Sequence, residues 1–143
     1  MAWKIMERVL EPELMQDLLQ VKAYSDADFS DSDISLINRI EEILFLEDKK
    51  LDSKSLILDL GCGPGKITEL LLSRWPNAEI IGIDGSEAML ALARESQNKK
   101  KFREAGMKIK YCCCDVSSLG SGSVVVERQA DLIVSNSLLH HLH

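Results

Sequence analysis

Apolar and polar positions along the chain change their period near residue 52. Pro12 is placed to open a helix through Glu13, Leu14, Leu18 and Leu19, and a break follows over 24–32. Next, Ile34, Ile37, Ile40 and Leu44 recur at steps of three, three and four, with Asn38, Glu41 and Glu42 on other faces. That spacing predicts an amphipathic helix packed on something larger. From Ser55 onward short apolar runs alternate with helical segments. Leu56-Ile57-Leu58-Asp59-Leu60 predicts a buried strand that ends in Gly61-Cys62-Gly63-Pro64-Gly65. A helix over 66–74 stops at Trp75-Pro76-Asn77, and 79–84 predicts a second buried strand. Gly85-Ser86 supplies a turn and a cap for a helix through Met89, Leu92 and Ala93 to about Arg103. Ile109 to Cys114 and Asp131 to Ser135 predict third and fourth strands. Strand alternating with helix implies a parallel sheet built by right-handed crossovers.

Composition narrows the class. At 143 residues, with 45% hydrophobic and 28% charged positions, the chain suits one soluble globular domain able to bury a core without staples. Seventeen basic residues against 23 acidic ones leave a net charge of −6, which disfavours loose binding to nucleic acid or anionic membranes. Lys99-Lys100-Lys101 reads as a solvated helix end complementing the dipole. No apolar run reaches the roughly 18 residues of a membrane span, and no export signal is visible. Cys62, Cys112, Cys113 and Cys114 form neither a disulfide framework nor a zinc spacing. They are expected to be reduced, in a cytoplasmic protein.

The chemistry concentrates where strands end. A strand running into a glycine-rich loop that opens a helix offers bare backbone and N–H groups to a ligand, although such a loop alone is as often a tight turn. The spacing Gly61-x-Gly63-x-Gly65 departs from the dinucleotide fingerprint, whose third glycine would fall at Lys66, and it does not accommodate a P-loop. Asp84 ends the second strand, 23 residues after Gly61, where a carboxylate can accept from a ribose diol or cap the next helix. Asp115 follows the third strand and Asn136 the fourth. Four consecutive strands thus place a polar group at the carboxyl edge, where open α/β sheets bind ligands.

Asp59-Leu60-Gly61-Cys62-Gly63-Pro64-Gly65, Gly82-Ile83-Asp84-Gly85-Ser86, Cys114-Asp115 and Asp131 through Ser137 resemble, in order and spacing, the class I S-adenosylmethionine-dependent methyltransferases. The resemblance implies an α/β, Rossmann-like three-layer αβα fold with a mostly parallel sheet. The chain would hold the first four strands of the family order 3-2-1-4-5-7-6. As one domain, it would place a helical cap over 1–52 and the cofactor-binding half over 53–143. Roles carry over residue by residue. Gly61, Cys62 and Gly63 pass under the methionine part of S-adenosylmethionine, and Asp59 orients the loop and the cofactor's amino group. Asp84, with Gly85 beside it, binds the ribose, Met89 packs on adenine, and Asp115, flanked by Cys114 and Val116, binds the adenine amino group. Asn136 and Ser137 run past the sulfonium, and Tyr24 in the cap closes over the cofactor.

The product would be S-adenosylhomocysteine and the acceptor a small molecule or lipid-like compound, since the Asn/Asp-Pro-Pro-Tyr/Phe sequence of nucleobase amino-methylation is replaced by Ser135-Asn136-Ser137-Leu138. His140 and His141 are the candidate bases, with local packing as their bland alternative and no metal site expected. Relative to seven strands the chain reads as truncated, with a fourth-strand edge to be covered by a second copy or a partner. Three rival readings stand beside a methyltransferase: a non-catalytic cofactor-binding or partner-binding module, a nicotinamide-dependent oxidoreductase, and a decayed gene product.

Overall fold

The computed structural model describes residues 30–99, 109–115 and 129–136. In chain order they form α1 (Ser30–Leu46), β1 (Leu56–Leu60), α2 (Lys66–Arg74), β2 (Glu79–Asp84), α3 (Glu87–Lys99), β3 (Lys110–Cys113) and β4 (Leu132–Ser135). The helix expected after Pro12 and the continuation of α3 beyond Lys99 lie outside the described residues.

The four strands form one sheet in the order β3-β2-β1-β4, parallel throughout. β1 is central and its first four residues are buried, as a run apolar on both faces requires. Asp131 closes the ladder below it: its carboxylate accepts the Leu56 N–H at 2.8 Å and its own N–H donates to the Leu56 carbonyl at 2.9 Å.

Because strand side chains alternate, the sheet has two cores. On one face Ile57, Ile80, Tyr111 and Val134 join residues of all three helices, among them Ile37, Leu71, Leu90 and Ala93. On the other face Leu56, Leu58, Ile81 and Ile83 cluster, with Cys112 and Cys114 packed against them. The consecutive cysteines therefore do part to alternate faces.

α1 packs on α2, but its stripe differs from the expected one. Ile37, Ile40 and Leu44 are buried, whereas Ile34 is 44% exposed and Asp33 takes the inward position at 6%. Steps of four, three and four through Asp33, Ile37, Ile40 and Leu44 follow one helix face, and Ile34 falls about 100° round from it. Arg74 at the end of α2 pins the junction through Glu41 and Asn38, the latter at 3.0 Å.

Candidate functional site

β1 ends in a loop that three glycines shape. Gly61, Gly63 and Gly65 have φ of 70, 56 and 85°, left-handed values that a Cβ makes costly. The chain reverses within five residues and enters α2 with Gly65 as N-cap.

The loop's N–H groups turn inward, which corrects the expectation that they face a ligand. Gly61 and Cys62 both donate to the Ile83 carbonyl, at 2.7 and 3.0 Å, and Gly65 donates to the Cys62 carbonyl at 3.1 Å. Gly63 donates to Asp84 Oδ2 at 2.9 Å. The loop is stitched to the end of β2 by the donors an anion cradle would need. That arrangement suits a ligand without phosphates, and it counts against the nicotinamide alternative, whose pyrophosphate requires such N–H groups.

Asp84 organises the edge. Its Oδ1 accepts the Ser86 N–H at 2.8 Å, its Oδ2 holds Gly63, and its carbonyl accepts the Cys114 N–H at 2.9 Å. One residue thus ties β2 to the glycine loop, to the start of α3 and to the end of β3. Ser86, rather than Asp84, caps α3: its Oγ accepts the Met89 N–H at 3.2 Å. A carboxylate offers about four acceptor positions, so these bonds and a ribose diol are compatible.

Asp59 is 1% exposed and points to the helix face of the sheet, where Thr68 Oγ1 donates to its Oδ2 at 2.6 Å. The bond spans the loop from beneath, joining the end of β1 to the first turn of α2. Burial, with repulsion from Asp84 added, raises the Asp59 pKa to about 7, against the opposing Thr68 bond. Burial also pushes the Cys62 thiol upward, helped by Asp59 and Asp84, so this thiol is a packing group and not a nucleophile.

Around this centre Gly85 is half-buried, Cys114 is half-buried, Asp115 and Asn136 are exposed, and Met89 is 3% exposed in the first turn of α3. All five sit at the carboxyl edge with Asp84. Tyr24, Val116, Ser137, His140 and His141 lie outside the described residues. All four cysteines carry free thiols.

Three further residues shape the site without having been expected there. Thr68 is 0% exposed, and a hydroxyl among the inward positions of α2 was the available signal. Gly82, inside an apolar strand, marks a close approach: a Cβ there would stand 2.7 Å from Tyr111 Cδ1 and 3.1 Å from Cys62 Sγ. Tyr111 is the third.

Comparison with known proteins agrees with the geometry. A family model described as a methyltransferase domain matches residues 57–143. Trans-aconitate 2-methyltransferase of Rhodopseudomonas palustris (strain HaA2) is 55% identical over 51 residues, 36% of this chain and 20% of that protein. Malonyl-[acyl-carrier protein] O-methyltransferase of Acetivibrio thermocellus is 38% identical over 89 residues, 61% of this chain and 27% of that protein. Among solved structures, an S-adenosylmethionine-dependent methyltransferase from Clostridium acetobutylicum ATCC 824 aligns with TM-score 0.53 at 27% identity, over 79% of this chain and 38% of that one. The chain therefore spans well under two thirds of the length of each of these relatives. No helix among the described residues is long and apolar enough to cross a membrane.

Proposed function

Since the chain belongs to the methyltransferase-domain family, we propose that it binds S-adenosylmethionine across the carboxyl edge of its sheet and takes part in methyl transfer to a small-molecule or lipid-like acceptor. The observation that carries this reading is the pairing of an inward-stitched loop with two carboxyl groups. The loop N–H groups are spent on Ile83 and Asp84, and Asp59 and Asp84 flank the loop, so the site favours a nucleoside with a cationic tail over a phosphorylated one.

S-adenosylmethionine supplies a methyl group already activated on a sulfonium, and its in-line displacement leaves S-adenosylhomocysteine. The chain's part is binding and orientation, which supply much of the rate in such a reaction. Gly61, Cys62 and Gly63 form the floor, Asp84 accepts from the ribose diol, and Asp59 fixes the loop from below through Thr68. Met89 offers an apolar surface to adenine, Asp115 an acceptor for its amino group, and Asn136 a polar neighbour to the reacting end. Relatives named for trans-aconitate and for a malonyl group support a small organic acid or acyl compound as acceptor.

A second copy along β4 is part of the same proposal. Among the described residues β4 pairs only with β1, and its Ile133 is 58% exposed; sedimentation at rising concentration would show a dimer, and a concentration-independent monomer would remove this element.

Calorimetric titration with S-adenosylhomocysteine, with NAD as control, tests the reading without the acceptor. Binding of the former alone is expected. Asp84→Ala is expected to weaken it by about 1.5–3 kcal/mol, roughly 10- to 150-fold, the range for hydrogen bonds to a charged group. Equal affinity in parent and variant would remove Asp84 from the site.

A further inference from the structure

Tyr111 is a core residue with an oxygen that the core does not use. It is 8% exposed, and its hydroxyl is the one buried side-chain polar atom among the described residues without a hydrogen-bond partner. Leaving a buried donor unpaired is costly, and phenylalanine would fill the same space without that cost. Packing alone therefore gives no reason for the oxygen.

Sheet register shows where the oxygen goes. Asp59 pairs with Gly82 and Gly82 with Tyr111, so the three residues form one row across β1, β2 and β3. Gly82, in the middle, has no side chain, and the Tyr111 ring lies over it, 2.7 Å from where a Cβ would be. The hydroxyl passes beyond Gly82 to the underside of the glycine loop, 2.4 Å from the position of a Gly65 Cβ. There it is within electrostatic reach of Cys62 of the loop, Glu69 of α2 and Asp59 of β1, and Thr68 of α2 is the neighbouring hydrogen-bonding side chain.

Thr68 has one proton and two lone pairs, and its proton is directed to Asp59. We propose that Tyr111 is a positioning residue of the cofactor site, its hydroxyl serving as the donor to Thr68 that completes a Tyr111–Thr68–Asp59 chain when Asp59 is charged. The inference rests on the reading of this loop as the cofactor floor. A neutral Asp59 can itself donate to Thr68, and the chain then needs no third member. A charged Asp59 only accepts, Thr68 must donate, and a donor behind Thr68 strengthens that bond because linked hydrogen bonds polarise one another. A cationic group above the loop favours charged Asp59, so the loaded site is the one in which the phenol finds its partner. Burial and repulsion from Asp84 on β2 oppose the charge, so the chain is the counterweight from beneath.

The test is Tyr111→Phe, which keeps the ring between Gly82 and the loop. In the unliganded protein, the Asp59 carboxyl titration followed by 13C NMR is expected to move up by about half a unit, with no loss of thermal stability. Affinity for S-adenosylmethionine below pH 7, where binding must first ionise Asp59, is expected to fall about threefold, with little change well above it. An unmoved Asp59 titration in the folded variant overturns the proposal. Thr68→Val supplies the independent arm: with the middle of the chain gone, adding Tyr111→Phe is expected to shift nothing further, and a full additional shift also overturns it. If the parent binds no S-adenosylhomocysteine, the cofactor reading fails, whereas intact parental binding with an unmoved titration sinks the Tyr111 assignment alone.

Discussion

Gly65→Ala is expected to destabilise the fold by about 2–4 kcal/mol, the sum of left-handed backbone strain and overpacking. Gly65 has φ +85°, and a Cβ there would stand 2.4 Å from the Tyr111 hydroxyl, 3.1 Å from Ala93 Cβ and 3.2 Å from Tyr111 Cζ. The tyrosine oxygen ends a side chain, but not one that can swing clear: the ring is held over Gly82 and buried beneath α3. The backbone cannot yield easily either, because the Gly65 N–H is bonded to Cys62 and its carbonyl accepts the Glu69 N–H at 2.9 Å in the first turn of α2. Urea denaturation measures the loss. The same substitution in a Tyr111→Phe background separates the two causes, since removing the oxygen relieves the steric part and leaves the strain. A loss under about 1 kcal/mol in the parent would mean that the loop relaxes around the added carbon. Gly63, at φ 56°, carries the strain too, and Gly65 adds to it a Cβ position set against Tyr111 and Ala93 of the core, which ranks it first for this substitution.

That ranking inverts the emphasis a reading of the sequence gives, and the inversion has a physical cause. Strands, helices and their order were legible because apolar runs are bounded by glycine, proline and capping residues, and Leu56–Leu60 and Glu79–Asp84 fall where the pattern places them. The acids at the strand ends were legible for the same reason. Lateral facts were not. That Asp59, Gly82 and Tyr111 share a row depends on register between three strands, which no local pattern encodes. Nor does local pattern say that the loop N–H groups close on Ile83 and Asp84, or that Thr68, nine residues from Asp59, turns back to it. Ile34 was misplaced because Asp33 and Ile34 compete for the first turn of α1, and packing against α2 decides between neighbours that periodicity treats alike.

Asp59→Asn is expected to stabilise the protein at pH 8 while weakening its grip on the cofactor. The carboxyl of Asp59 titrates at about 7 in the fold against an ordinary 3.8, chiefly because burial penalises its charge. Below about pH 4 it is protonated whether the chain is folded or not, and contributes no dependence. As pH rises from about 4 to 7 the unfolded chain loses this proton while the folded one keeps it, so stability from this group falls across that window and is level above it. The whole drop is on the order of 2–4 kcal/mol. Asparagine keeps an oxygen for Thr68 to donate to and carries no charge to desolvate, so the variant should match the parent near pH 4 and exceed it at pH 8. Chemical denaturation across that range follows the difference directly; a variant less stable than the parent at pH 8 would show that Asp59 is not held at a cost. The cofactor side runs the other way, because a neutral amide offers less to a cationic ligand than a carboxylate beneath the same loop. Calorimetry at pH 8 should therefore find weaker binding in the more stable protein, the opposition expected where a fold retains a buried acid for function.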